Sequence, residues 1–388
     1  MAIPFKVNLR GLFVRKVSTI TTVVCLALVV AVFSSMMSPA NGLKYTFRNT
    51  GDPRSVLILR EGATSEVQSG VTLEQFQILR TLPGVAKGPD GSPVATGEVV
   101  VVINRDKRGA RAGANITVRG ISPEGFAAHG EIRLVEGKTF EAGKSELIVS
   151  RSIAKKFENC GLGETLDLQK RKFLVVGIFD AGGSSHDSEI IGDVTDLRDA
   201  FKRGAYSTVL LRAADNSGVA TIKDAIARDR RLKLKAIPES QYYAEQTRQA
   251  QPIQVAGIFL ATILAVGAGF GAANTMYAAV SSRSREIGTL RAIGFSRSAI
   301  MIAYLTEAFA LGVAGGAIGM AITYLAVNGV TTGTSNWETF SEVSFAFRVT
   351  PALVALGIAF SSVIGALGGL LPARLAARAP ITQALRQS

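Results

Sequence analysis

The chain is poor in reactive side chains. Its 388 residues include only two histidines and two cysteines. His129 and His186 are far apart in sequence, and Ser185-His186-Asp187 is a polar loop with no second cluster beside it. Zinc ligation and a catalytic triad are therefore not expected, and no metal site is assigned. Cys25 sits in an apolar run and Cys160 in a long mixed segment, so no structural disulfide between them is expected. There is no Gly-x-Ser-x-Gly element and no Cys–His pairing. Gly143-Lys144-Ser145 looks like the end of a phosphate-binding loop, but the glycine required five places earlier is Lys138, with Gly137 one position off register. That stretch reads as a turn. No catalytic residue and no cofactor of the chain's own are assigned.

Charge is also scarce. Charged residues make up 19% of the chain and hydrophobic ones 47%, against about 25% charged in soluble domains. Four runs account for the shortfall. Residues 17–37, 253–280 and 351–371 hold no charge, and residues 299–328 hold one, Glu307. About 20 apolar residues cross the hydrocarbon core as a helix, so all four are predicted spans. The first has a rival reading. Basic residues precede it and Ser38-Pro39-Ala40 resembles a cleavage site, as in a secretory signal. At 21 residues it exceeds the usual apolar core of a signal, about 7–15 residues, which favours a retained anchor.

Acidic residues are missing where basic ones collect. Residues 1–16, 281–298 and 372–388 hold eleven Lys and Arg, among them Lys6, Arg10, Arg15, Lys16 and Arg386, against the single acid Glu286. Residues 329–350 hold Glu338, Glu342 and Arg348. Most of the net charge of +13 thus flanks apolar runs rather than marking a nucleic-acid binder, and no nucleic-acid partner is assigned. By the positive-inside rule the N-terminus 1–16, the segment 281–298 and the tail 372–388 are cytoplasmic. Residues 38–252 and the short loop 329–350 lie outside.

The 38–252 segment is long enough for a core of its own. Residues 55–60, 98–103, 147–149 and 173–179 read as strands. Residues 72–80 read as a helix with Thr72 as N-cap, and 151–157 and 219–227 as further helices. The segment 88–119, rich in Gly and Arg, reads as a mobile loop, and its arginines over 105–119 as a solvated face. Residues 232–251 read as a helix running into the second span, with Tyr242 and Tyr243 at the membrane interface. The whole is an α-helical membrane protein with four spans and an α+β extracytoplasmic domain between the first two.

Between spans two and three, a helix over 285–297 would put Ile287, Leu290 and Ile293-Gly294 on one face. Such a segment suits the lipid of the inner leaflet or a groove on a cytoplasmic partner. Gly288 and Gly294 allow close approach or a cap. Glu307, an intramembrane carboxylate, is a candidate for pairing with Arg283 or Arg291 or for a part in a conformational switch. Gly267, Gly271, Gly312, Gly315, Gly316, Gly319, Gly365 and Gly369 recur at four-residue spacing and suit close helix contacts, within the chain or across a dimer.

Asn274-Thr275-Met276, the run Arg283-x-Arg285-Glu286-Ile287-Gly288-x-Leu290-Arg291-Ala292-Ile293-Gly294, Glu307 and the glycines from 312 to 319 follow one another in that order. In this they resemble the permeases of the MacB/FtsX/Lol (type VII, mechanotransmission) class of ABC transporter. The closing Leu371-Pro372-Ala373-Arg374-x-Ala376-Ala377-Arg378-x-Pro380-Ile381-x-x-Ala384-Leu385-Arg386 is similar to the family's last motif. Glu136-Gly137-Lys138-x-Phe140, Leu147-Ile148-Val149 and Leu174-Val175-Val176-Gly177 resemble its periplasmic core domain.

The resemblance covers nearly the whole chain, most specifically 270–320 and least 43–130. It implies a bacterial inner-membrane subunit with two permease chains per transporter, identical or not. ATP and Mg²⁺ would be bound by a separate cytoplasmic ATPase, docked on Arg283, Arg285, Glu286, Ile287, Gly288, Leu290, Arg291 and Gly294. Asn274 and Glu307 would be the functional residues inside the membrane. Three activities fit: export through a periplasmic adaptor, lipoprotein extraction, or an FtsX-like relay that activates a cell-wall hydrolase. The size of the extracytoplasmic domain favours the first two.

Overall fold

The computed structural model describes residues 16–378 except 110–112, 127, 130–131, 230 and 337–338. Lys6, Arg10, Arg15, Glu338, Pro380, Ile381, Ala384, Leu385 and Arg386 therefore lie outside the described residues. The chain divides into two compact units: Met1–Asn41, Gln251–Val330 and Phe347–Ser388 form one, Gly42–Ala250 and Thr331–Ala346 the other.

The first unit is helical. It is built from α1 (Lys16–Arg48, up to residue 41), α2 (Gln251–Ser282), α3 (Ser284–Ala292), α4 (Arg297–Val327) and α5 (Pro351–Arg378). Four of its helices are long and apolar enough to cross a membrane. Helix α1 runs unbroken through Ser38-Pro39-Ala40, where Ser38 and Ala40 are fully buried. In place of side-chain bulk, small residues set the spacing between helices. A Cβ added to Gly312 would stand 2.6 Å from Ser362 Cα, and one added to Gly316 would stand 2.9 Å from Ile358 Cα, both on α5. Gly315, on the adjoining edge of α4, would meet Leu26 Cβ of α1 at 2.7 Å. Helix α4 is thus flattened on two sides, one for each neighbour. A buried hydroxyl pair, Ser34 Oγ to Thr323 Oγ1 at 2.6 Å, ties α1 to α4.

The second unit carries a mixed sheet. Its strands are β1 (Ser55–Arg60), β2 (Ala95–Asp106), β3 (Gly113–Ile121), β4 (Arg133–Gly137), β5 (Glu146–Ser150), β6 (Thr165–Leu168), β7 (Arg171–Asp180), β8 (Glu189–Asp193), β9 (Thr208–Arg212) and β10 (Leu234–Pro238). They run in the order β10-β1-β9-β2-β3-β8-β5-β7-β4, with β6 paired to β7. Strand β2 is shared. Residues 95–98 pair with β9 and residues 99–106 with β3, both antiparallel. On one side Val56, Ile58, Leu79, Leu211 and Ile222 form a core, and on the other Val99, Val118, Leu147, Phe157 and Phe173 form a larger one. Local chemistry starts several elements. Thr72 caps the helix Leu73–Leu79 in a reciprocal capping box with Gln75, and Asp215 caps the helix Asn216–Arg228 through Gly218 N.

Several expectations are corrected. The span 88–119 is not a loop, because β2 and β3 pair across most of it. Within the Val-rich stretch at 98–103, residues 99–103 find a partner in 116–120, which alternates weakly and looks like loop when read alone. Residues 234–238 form β10, and only from Glu239 does the chain turn helical, through Glu239–Gln246 and Thr247–Ala250. Tyr242 and Tyr243 are buried in this unit rather than placed at an interface. The short loop 329–350 contains a hairpin, β11 (Thr331–Ser335) with β12 (Glu342–Ala346), that belongs to the mixed unit. Asn336 Nδ2 donates to Gln246 Oε1 at 2.9 Å, Asn115 Nδ2 to Phe340 O at 3.0 Å, and Ser344 N to Ser188 Oγ at 2.6 Å.

Candidate functional site

The predicted coupling residues converge on α3. The helix ends in a Schellman arrangement. Phe295 N donates to Leu290 O at 3.1 Å, Gly294 N donates to Arg291 O at 3.2 Å, and Gly294 takes φ +107°. Gly294 is therefore a cap, and the next helix starts at once with Ser296 Oγ accepting from Ala299 N at 3.2 Å. Gly288 is buried.

Three contacts seat α3 on its neighbours. Ile287 is buried among Ile300 and Tyr304 of α4 and Ala373 and Ala376 of α5. Arg283 Nη1 reaches Glu307 Oε2 of α4 at 3.4 Å. Arg291 Nη1 donates to Ala377 O near the end of α5 at 3.1 Å, where the free carbonyls of a helix favour a cation. Of the two partners considered for Glu307, the structure pairs it with Arg283. The opposite face of α3 is open. Arg285, Glu286 and Thr289 are exposed. Ile293 is 70% exposed, which corrects the expectation that it shares a face with Ile287. Six residues at about 100° each leave the two about 120° apart. Leu290 lies between them, half-buried.

Seven of the eight predicted glycines face other parts of the chain, six of them closely. Gly312, Gly316, Gly365 and Gly369 lie between α4 and α5, and Gly315 and Gly319 face α1. Gly271 faces Cys25 at 3.7 Å, and Gly267 meets nothing within 4 Å. Asn274 is exposed on α2 one heptad after Gly267, on the same side of the helix as Phe270, which is 74% exposed.

A second constellation was hidden in the sequence. In the mixed unit, Arg119 of β3 is 2% exposed. Its guanidinium meets Glu66 at 2.8 Å, Glu98 at 2.6 Å and Glu189 at 2.8 Å. This overturns the solvated-face reading of the 105–119 arginines, at Arg119 most plainly. Register explains the geometry. Arg119 lies opposite Val100, two residues from Glu98 in β2, and Thr117 lies opposite Glu189 in β8, so all three charges share one sheet face. His129 Nε2 lies 2.8 Å from Glu98 Oε1, and His186 Nδ1 lies 2.9 Å from Glu189 Oε2. The two imidazoles stand edge to face with centroids 5.1 Å apart, and His186 contacts Tyr243 in the same way at 6.0 Å. The expectation that His186 has no cluster beside it is thereby corrected.

Burial works against charge here and loses. It pushes the Glu98 carboxyl up, but His129 and Arg119 outweigh it and draw the group down from 4.5 to about 2. Burial likewise opposes ionisation of Glu189, which Arg119 and His186 hold below the ordinary carboxylate range. Burial disfavours the charged Arg119, yet Glu189 and Glu66 hold it well above its usual value. The same contest, with Glu98 as the main partner, raises His129. Burial, helped by Glu66, keeps the Tyr243 phenol protonated far beyond its ordinary range.

Comparison with known proteins covers both units. The MacB-like periplasmic core domain matches residues 19–229, and the FtsX-like permease C-terminal matches residues 258–381. The macrolide export ATP-binding/permease protein MacB of Chlorobium luteolum is 24% identical over 410 residues, covering 97% of this chain and 59% of that one. The uncharacterized ABC transporter permease YknZ of Bacillus subtilis is 25% identical over 295 residues, 70% of each chain. The crystal structure of the extracellular domain of a noncanonic ABC-type transporter YknZ from Gram-positive bacteria aligns with 47% of this chain and 99% of its own, at 17% identity and a TM-score of 0.37. The chain spans 59% of the length of the Chlorobium luteolum MacB and 38% of that of Bdellovibrio bacteriovorus.

Proposed function

The chain belongs to the permease family that joins a MacB-like periplasmic core domain to an FtsX-like permease C-terminal region, and from that membership we propose that it is the permease subunit of an ABC transporter whose ATPase is a separate cytoplasmic chain. The observation that carries the reading is the two-sidedness of α3. Its inner side is fastened to α4 and α5 through Ile287, Arg283–Glu307 and Arg291–Ala377. Its outer side offers Arg285, Glu286 and Ile293. A partner that grips the outer side moves the ends of two spans through the inner side.

In this reading ATP and Mg²⁺ are bound by the partner, and closure of its nucleotide sites displaces α3. In this reading α3 and the basic flanks 1–16 and 372–388 are cytoplasmic and the mixed unit lies on the other side of the membrane, which the distribution of Lys and Arg supports. Motion passes, on the same reading, from α4 to α1 through their close packing at Gly315 and at the Ser34–Thr323 hydroxyl pair. The second permease chain is placed against the open side of α2 that carries Gly267 and Asn274. The macrolide export for which the MacB relatives are named is the first transport activity to assay.

The test is co-purification of the full chain in nanodiscs with its candidate ATPase, scoring ATP hydrolysis together with binding. Wild type should bind the ATPase and alter its turnover, and Arg285→Glu/Glu286→Arg should lose both while staying folded. If no ATPase binds the wild type, or the double variant binds as well as the wild type, the coupling assignment is wrong.

A further inference from the structure

We propose that His129, His186 and Glu239 form a binding site for a divalent transition-metal ion of the zinc class within the mixed unit. The three come from distant parts of the chain. His129 follows the helix Pro123–Phe126, His186 lies in the turn Ser185–Ser188 ahead of β8, and Glu239 opens the helix Glu239–Gln246. One donor atom from each lies within 4.8 Å of the other two. All three side chains are buried, with exposures of 2%, 0% and 3%.

Three features of the surroundings suit a metal better than they suit a packed core. The first is how the imidazoles are held. Metal-binding histidines usually give their second ring nitrogen to a carboxylate, which fixes the ring and raises its basicity. Here both rings are held that way, His129 through Nε2 to Glu98 and His186 through Nδ1 to Glu189. The second is His129 Nδ1, which is buried and has no hydrogen-bond partner among the described residues. A buried ring nitrogen left unpaired is costly unless something binds it. The third is charge. The cluster gathers four carboxylates, Glu66, Glu98, Glu189 and Glu239, around one guanidinium, that of Arg119. Carboxylates outnumber the guanidinium there, and a divalent cation, with both imidazoles neutral as ligation requires, adds positive charge among them.

The donor set narrows the ion. Two imidazoles and one carboxylate suit zinc and its first-row neighbours rather than Mg²⁺ or Ca²⁺, which take oxygen ligands. Three protein ligands leave one position of a tetrahedral site for water. Bound there, the ion would pin the start of the helix Glu239–Gln246 to the segments at 129 and 186. That helix opens the 239–282 stretch of near-continuous helix. The inference is independent of the transport reading.

The two histidines are the only ones in the chain, which makes the test clean. The full chain, without a histidine tag and in nanodiscs, is titrated with Zn²⁺ and Co²⁺ after chelator treatment. Wild type should take up one ion per chain, with the visible bands of tetrahedral Co²⁺ and no thiolate charge-transfer band. His129→Gln and His186→Gln should each abolish uptake, and Glu98→Gln should weaken it about 10–100-fold. Wild type alone also decides the matter if a variant fails to fold. With histidine labelled for NMR, the two imidazole signals should both shift on one equivalent of Zn²⁺. No stoichiometric uptake by wild type, uptake retained in both histidine variants, or imidazole signals indifferent to Zn²⁺ would each overturn the proposal.

Discussion

At the scale of a single side chain, Arg119 stands where water would otherwise solvate three carboxylates. Removing it does not return those groups to solvent. Arg119→Met should therefore destabilise the mixed unit by about 3–5 kcal/mol, the usual cost of orphaning a buried ion pair. Thermal unfolding of the full chain, followed by near-UV circular dichroism, reads this directly. Acid should act through the same centre. Glu98 has its pKa drawn from 4.5 down to about 2, so its contribution to stability is complete above pH 4.5 and is lost as pH falls from 4.5 through about 2. The mixed unit should hold its tertiary signal at pH 5 and lose it across that lower window. Retention of the full signal at pH 2 would contradict the burial described. None of this was legible in the sequence. An arginine in a Gly-rich stretch is ordinarily solvated, and only the pairing of β2, β3 and β8 brings residues 98, 119 and 189 to one face.

At the scale of the element, glycines separate packing from open surface. Gly312→Ala should push α4 from α5, because the added carbon meets backbone at 2.6 and 2.7 Å, and overpacking of this kind costs about 1–3 kcal/mol. Gly267→Ala adds a methyl where nothing lies within 4 Å. It should leave the melting temperature of the detergent-solubilised chain unchanged, whereas Gly312→Ala should lower it. Equal melting of the two variants would contradict the helix pairing. The long helices were readable from composition alone, because an uncharged run of 20 residues has few other fates. The Thr72 cap was readable because the capping box is local, with Thr72 and Gln75 three residues apart. β11 was not, because Thr331–Ser335 is short and polar and pairs only with β12. The two faces of α3 were half readable. Ile287 and Leu290 turn inward as the spacing suggested, but Gly294 ends the helix and leaves Ile293 outside.

At the scale of the whole molecule, the mixed unit is assembled from two stretches of chain separated by the helical segment 251–330. The hairpin β11–β12 contributes Glu342, 2.5 Å from Lys107, and Ser344, whose Oγ accepts from Lys156 Nζ at 3.0 Å. A fragment of residues 42–250 alone should therefore melt below the same fragment with residues 331–346 joined through a flexible linker. If the two melt together, the hairpin is not part of the unit's stability. Sequence reading took 38–252 as the complete domain because a contiguous span between two apolar runs is the simplest division, and nothing local marks a returning strand.

Strand β2 holds the two halves of the sheet in one piece, since its residues 95–98 pair on one side and its residues 99–106 on the other. A strand cannot fray in its middle and stay ordered at both ends, so loss of either half exposes edge hydrogen bonds of the other. The cores on either side of it are thus expected to open together, and the unit should unfold in one cooperative transition where its separate hydrophobic clusters would suggest several.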